Sequence, residues 1–340
     1  MPKAILVTKQ RKEWVDVLRA LAMIMVIYGH LLSGYGHSEY YIITSPIKIP
    51  LFFVISGYVF NINRSNPREF FTNLTKKLIV PLLLFSIILM PIKLCAAYYN
   101  LVNHSMKEVV FSFITGNELW YLPCCIIAEI IFYFVIKLAK KEMYLVFLCL
   151  GISTVGFILS SYGILSTANC NTALIAQLFL LIGFYFRRHE EWFEKNWLPI
   201  CVTGSLFYIL LCIASFTIFP GKILDVHLNA YYCIPINILS IIAGNTALMC
   251  LGRHFSITST VLSFIGKNTL TYYVIHEYVV GVIRLLLHIL GVKESGSYLF
   301  ELGVLIAVCL VCAAISCVIN KYCPFLVGKS IERNKQKPIC

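Results

Sequence analysis

Charge is scarce in this chain. Of its 340 residues only 13% are Asp, Glu, Lys or Arg, while 59% are hydrophobic. Soluble domains run near a quarter charged and half apolar. So few charges cannot cover so much Ile, Leu, Val and Phe in water, which excludes a soluble enzyme. A disordered chain needs the opposite balance, and it drops out too. Acidic residues are the scarcer sign, 16 against 28 basic. Internal repeats, low-complexity tracts and linkers are absent. What is present is length of apolar run, with a mean hydropathy of +0.82. The composition is that of an all-α, polytopic integral membrane protein forming one domain over residues 1–340.

A helix needs about 20 mostly apolar residues to cross a bilayer. Ten windows meet this: roughly 14–33, 47–62, 78–99, 119–136, 143–161, 172–186, 197–219, 231–251, 262–289 and 299–320. The second and sixth are short and the ninth is long. The longest outside connection, residues 100–118, is too small for a domain. Any chemistry therefore sits among the helices.

Basic residues crowd the cytoplasmic loops of membrane proteins. With the amino terminus inside, the inside segments hold twenty Lys and Arg, and the outside loops hold only Lys107, Lys222 and Lys293. Both termini are thus expected in the cytoplasm. The net charge of +12 reads as this topology signal, not as a nucleic-acid footprint, since no basic face carries interleaved stacking aromatics. The first span is too long for a signal h-region, contains Asp16, Arg19 and His30, and lacks a small-residue cleavage site. It is expected to stay in the protein. Of 14 cysteines, all but Cys323 and Cys340 lie in or beside apolar spans, where Cys behaves as a small hydrophobe. Cys309 and Cys312 form a CxxC in the last span without a nearby His, and no metal site is predicted.

Ionisable groups inside a span are costly and are functional candidates by default. The first span has the richest set. At about 100° per residue, Arg19 and His30 differ by only ~20° around the helix axis, and Asp16 falls on the same side. Arg19 and His30 are separated by ~16 Å of rise, half the hydrocarbon core. Asp16 can hold the Arg19 guanidinium in one orientation. Asp16 and Arg19 can equally be read as interface anchors, and a lone His30 as a packing residue. Their alignment favours a site.

Other candidates follow along the chain. Pro50 suits a helix start, and Ser56-Gly57 suits a close helix contact with a hydroxyl available across it. The loop from 61 to 81 carries Arg64, Arg68, Lys76 and Lys77, which suit phosphates or lipid headgroups. Trp120 and Tyr121 fit an outer aromatic belt. Glu129 has no cation near it in sequence. In the ninth span Tyr272 and Tyr273 precede His276 by four and three positions, so either hydroxyl could orient its imidazole, while Asn268 and Thr269 polarise the inner end. His276 reads as a cavity wall or as a satisfied interior histidine.

Together these residues resemble the acyltransferase-3 family of integral membrane acyltransferases, particularly its fucose 4-O-acetylase-like branch. The resemblance rests on Asp16-Val17-Leu18-Arg19 followed by Gly29-His30; on Pro50-Leu51-Phe52-Phe53-Val54-Ile55-Ser56-Gly57; on a basic pair leading to Pro81; on Leu119-Trp120-Tyr121-Leu122; and on Ile265-Gly266-Lys267-Asn268-Thr269-Leu270 running to Tyr273 and His276. It implies ten helices in the inner membrane, acetyl-CoA as the cytoplasmic acyl donor, and an acceptor hydroxyl on a surface polysaccharide or lipid-linked sugar. His30 matches the family's essential histidine and Arg19 its first-helix arginine. Where many members carry Arg-x-Arg before the third helix, this chain has Thr75-Lys76-Lys77, and a lysine is a point charge without the bidentate fork.

Acyl transfer from a thioester to a hydroxyl needs a base and something to stabilise an oxyanion. A neutral imidazole suits the first role. The expected catalytic residues are His30, Arg19 and Asp16; the expected acyl-CoA contacts are Arg19, Arg64, Lys76 and Lys77; Ser56, Trp120, Glu129, Tyr273 and His276 are expected to line the acceptor cavity. A transporter or flippase of a sugar-lipid is the alternative. It would call for Gly/Pro-broken helices in matching halves, and none are evident.

Overall fold

The computed structural model describes residues 11–60, 66–99, 104–163 and 167–329. Among these there is no strand beyond an isolated bridge between Asp225 and Ala230. Ten helices are long and apolar enough to span a membrane. They are α1 (Glu13–Leu32), α2 (Ser38–Val59), α3 (Pro67–Tyr98), α4 (Tyr121–Leu138), α5 (Glu142–Ser161), α6 (Thr167–Arg188), α7 (Trp197–Ile218), α8 (Ile234–His254), α9 (Thr269–Ile289) and α10 (Tyr298–Tyr322). An even number of spans puts both ends of the bundle on one side, the side rich in Lys and Arg.

Four spans differ from their sequence expectation, the sixth simply in length: it is not short but runs the 22 residues Thr167–Arg188. The second is not short and does not begin at Pro50: α2 runs from Ser38 straight through Pro46 and Pro50. Proline in a helix orphans the carbonyl four residues earlier, and in a membrane a neighbouring helix must satisfy it. Asn245 of α8 does so, donating its side-chain N–H to the Pro46 carbonyl at 3.0 Å. The third begins earlier than expected. Asn66 caps it through the Arg68 N–H at 3.0 Å, and Pro67 occupies the first turn, so Arg68, Lys76 and Lys77 sit on a helix and not in a loop. Residues Thr75–Ile79 of this helix are wound as a π-helix. The ninth is two helices, Thr260–Lys267 and α9, broken at Asn268. Asn268 stabilises the break by donating to the Phe264 carbonyl at 2.8 Å and accepting from Asn320 at 2.8 Å.

The first helix is the spine of the bundle, with Trp14, Val17, Leu18, Ala20, Ala22 and Met23 all buried. Two close approaches fix its surroundings. A methyl group at Gly57 of α2 would collide with the Leu180 carbonyl of α6, and one at Gly183 of α6 would collide with the Val54 carbonyl of α2. A methyl at Gly266 would likewise strike the Asp16 carbonyl. The motif glycines of the sequence are therefore contact points that seat α2 and the Thr260–Lys267 helix.

Candidate active site

Asp16, Arg19 and His30 all lie on α1, but they enter different parts of the site. Asp16 is 1% exposed. Its carboxylate takes a two-pronged bond from Arg11, Nε to Oδ2 at 2.6 Å and Nη2 to Oδ1 at 2.7 Å. Arg19 reaches it only at 3.3 Å. Asp16 thus holds Arg11 more tightly than Arg19, a partner the helical-face argument missed because Arg11 precedes the helix.

On the basic side a vestibule of about 530 Å³ is lined by Arg11, Lys12, Arg19, Lys77 and Arg187, with Asp16 and Glu129 among its walls. Glu190 pins Lys12 at 2.7 Å and stands 3.7 Å from Arg187, and it also accepts from Tyr58 at 3.0 Å and from Arg253 at 2.6 Å. Burial alone would raise the Glu190 carboxyl, yet the bonds from Lys12 and Arg253 hold it below the usual range. Burial outweighs the pull of Glu190 on Lys12, whose ammonium is pushed down. Lys77 lies in the π-helical segment of α3, a distortion often found at functional sites. Lys76 beside it lines neither this vestibule nor the next cavity. Arg64 lies outside the described residues.

A second cavity, of about 240 Å³, continues along α1 from Arg19 to His30. The two share Arg19, Ser56, Lys77 and Leu78. Trp120, Tyr121, Tyr273, His276 and Glu277 close the far part. There the imidazoles of His30 and His276 approach with ring centroids 5.0 Å apart. Glu277 Oε1 stands 3.7 Å from His30 Nε2. His30 and Glu277 are 46% and 58% exposed, whereas His276 is 2% exposed.

The tautomer of His276 follows from its contacts. Nδ1 lies 3.0 Å from the Tyr272 carbonyl and 2.8 Å from that of Tyr273, and only an N–H can sit against two carbonyl oxygens. In the neutral ring Nε2 is then the bare nitrogen. It has no partner among the described residues. An unpaired buried polar atom costs about 1–3 kcal/mol and calls for a reason. Backbone carbonyls, and not the tyrosine hydroxyls expected from the spacing, orient this ring. The Tyr272 hydroxyl donates instead to the Cys309 carbonyl at 3.0 Å. His30, His276 and Glu277 each offer one ligand atom, all within 4.8 Å of one another, and could together hold a metal ion.

The structure brings Arg19, His30, Ser56, Trp120, Tyr273 and His276 to one cavity and places Glu129 on the vestibule. Trp120 and Tyr121 line the cavity. Trp120 stacks on His227 at 4.4 Å, and Tyr121 packs against Phe53 and Tyr273. Burial pushes the His227 imidazole down in pKa. The sequence reading missed Glu277, although it directly follows His276, because neighbours on a helix point ~100° apart. It also missed Glu118, buried on the cavity wall and paired with Lys93 at 2.5 Å.

The geometry can be set beside known proteins. The family described as an acyltransferase domain, of the acyltransferase-3 type, matches residues 12–320. An amino-acid racemase of Enterococcus faecalis is 28% identical over 229 residues, which is 58% of this chain but 30% of that protein. No solved structure matches.

Proposed function

The chain belongs to the acyltransferase-3 family, and from that premise we propose that it is an O-acetyltransferase of the inner membrane, moving acetyl from cytoplasmic acetyl-CoA to a hydroxyl of a cell-surface polysaccharide or lipid-linked sugar. One observation carries this reading: the basic vestibule and the histidine cavity abut at Arg19, Ser56 and Lys77, forming one path along α1. A donor with a phosphorylated head and a long thin arm fits such a path. Its phosphates would meet Arg11, Lys12, Arg19, Lys77 and Arg187, and its thioester would reach the imidazoles. Lipid headgroups at the rim would share the same cations. The racemase name belongs to a protein of which this chain covers 30%, and racemisation is not carried over.

The chemistry follows from the side chains. An acceptor hydroxyl entering beside Trp120 and Glu277 would lie next to His30, which takes its proton as oxygen attacks the thioester carbon. The Glu277 carboxylate, 3.7 Å from Nε2, stabilises the imidazolium so formed. The bare Nε2 of His276 offers a second hydrogen-bond acceptor to the incoming hydroxyl. The test is direct. Membranes containing the protein are incubated with acetyl-labelled acetyl-CoA and polysaccharide or lipid-linked sugar, and label is sought on sugar. Label absent from every glycan, with the protein intact and abundant, would refute the assignment.

A further inference from the structure

Base and donor grip leave one requirement of acyl transfer without a group: a hydrogen-bond donor for the oxygen that becomes negative as the thioester is attacked. We propose that the hydroxyl of Tyr273 is that donor, an inference that rests on the acyltransferase reading above.

The amino end of α4 abuts Tyr273. Its cap residue, Trp120, supplies no side-chain bond. The Tyr273 oxygen takes that place, accepting the N–H of Tyr121 at 3.0 Å. With its oxygen committed as acceptor, the hydroxyl proton must point elsewhere, and no acceptor for it is found among the described residues. The positive end of a helix dipole feeds that N–H, and a hydroxyl that accepts a hydrogen bond donates a stronger one.

Several other donors on the cavity wall are already spent. The α4 backbone offers little else: Leu122 N–H bonds the Leu119 carbonyl at 2.9 Å, Cys124 N–H bonds Trp120 at 3.2 Å, and Pro123 has no N–H. The Tyr278 hydroxyl donates to Glu118 at 3.2 Å and Thr269 to the Gly266 carbonyl at 3.3 Å. Position agrees as well. Tyr273 precedes His276 by three residues on α9, so it sits ~4.5 Å nearer the basic side on a similar face, with ring centroids 6.5 Å apart. A donor arm rising from the vestibule meets this hydroxyl just before the imidazoles.

The step balances. The acceptor oxygen forms a bond to the thioester carbon while its proton passes to His30. The carbonyl π pair moves onto oxygen, where the Tyr273 O–H holds it. The pair then returns, the C–S bond breaks, and the departing thiolate recovers the proton from the His30 imidazolium.

Tyr273→Phe should lower kcat by about 10²–10³-fold, the typical effect of deleting one such donor, with the acyl-CoA KM changed far less. Phenylalanine also removes the cap from α4, so a second variant is needed. Trifluorotyrosine at position 273 keeps the capping oxygen but ionises at lower pH. A phenolate still caps and no longer donates. The alkaline limb of kcat should therefore move down in pH relative to wild type. An unmoved limb, or near-normal kcat in Tyr273→Phe, would overturn the donor role alone. Absence of any acyl-CoA-dependent transfer by the wild-type protein would overturn the acyltransferase reading, and this inference with it.

Discussion

The vestibule and the histidine cavity share a helix and four lining residues, yet their polar groups are kept in opposite conditions. In the vestibule partners abound: Asp16 binds Arg11 and Arg19, and Glu190 gathers Lys12, Tyr58 and Arg253. In the cavity His276 Nε2 is bare and buried, and the Tyr273 proton has no taker. The difference separates two tasks. Fixed charges held by counter-charges make a rigid surface that binds a polyanion with little reorganisation. Unspent lone pairs and protons cost stability until substrate arrives, which is where strain and orphaned groups are expected in an active site.

The largest effect should come from the cavity. His30→Ala removes the proton acceptor while deleting little packing, since His30 is half exposed to the cavity. General-base assistance is worth 10²–10⁴-fold, and turnover should fall by that much or more with normal membrane levels. Near-normal turnover would make His30 a packing residue and shift the base to His276, and the contrast between the two regions would lose its chemical side.

Where the two regions meet, Arg19 should matter next. Its guanidinium is held by Asp16 at 3.3 Å and opens to both cavities. Arg19→Lys keeps the charge but loses the planar fork. A charged hydrogen bond is worth about 1.5–3 kcal/mol, so kcat/KM should fall about ten- to a hundredfold. An unchanged value would mean that charge alone suffices there.

The vestibule itself should answer in binding rather than in chemistry. Lys77 lines both cavities and Lys76 neither. Lys77→Ala should raise the acyl-CoA KM severalfold with kcat little altered, and Lys76→Ala should change neither. Equal effects from the two lysines would assign them both to a diffuse surface potential.

Much of this was legible from composition. Ten spans and their basic side follow from apolar run length and the scarcity of charge. The alignment of Arg19 and His30 needs only the helical repeat, and both do line one cavity. What sequence could not give was contact across helices. Arg11 precedes α1 and so fell outside any face argument. Glu277 sits beside His276 and points elsewhere until α1 is packed against α9. Pro50 of α2 read as a boundary because Asn245, which takes up the carbonyl it orphans, is about 200 positions away. Tyr273 looked like a partner for His276 by spacing, and only the packing of α4 turned its hydroxyl to another use.

The smallest effect should come from the carboxylate that organises the vestibule. Glu190→Gln leaves Lys12, Arg187 and Arg253 near one another without their common counter-charge. The carboxylate is 17% exposed, so solvent screens part of the loss, and the cost is about 1–2 kcal/mol. The pH dependence fixes the cause. The folded-state pKa of Glu190 lies below its ordinary value of 4.5, so its contribution is complete above the unfolded value and fades as pH falls through the folded one. Thermal unfolding in detergent should show the gap between wild type and Glu190→Gln full at neutral pH. It should narrow steadily below pH 4.5, as wild-type Glu190 takes up its proton. A gap that stays constant through that range would mean that Glu190 acts there by shape and hydrogen bonding, not by charge.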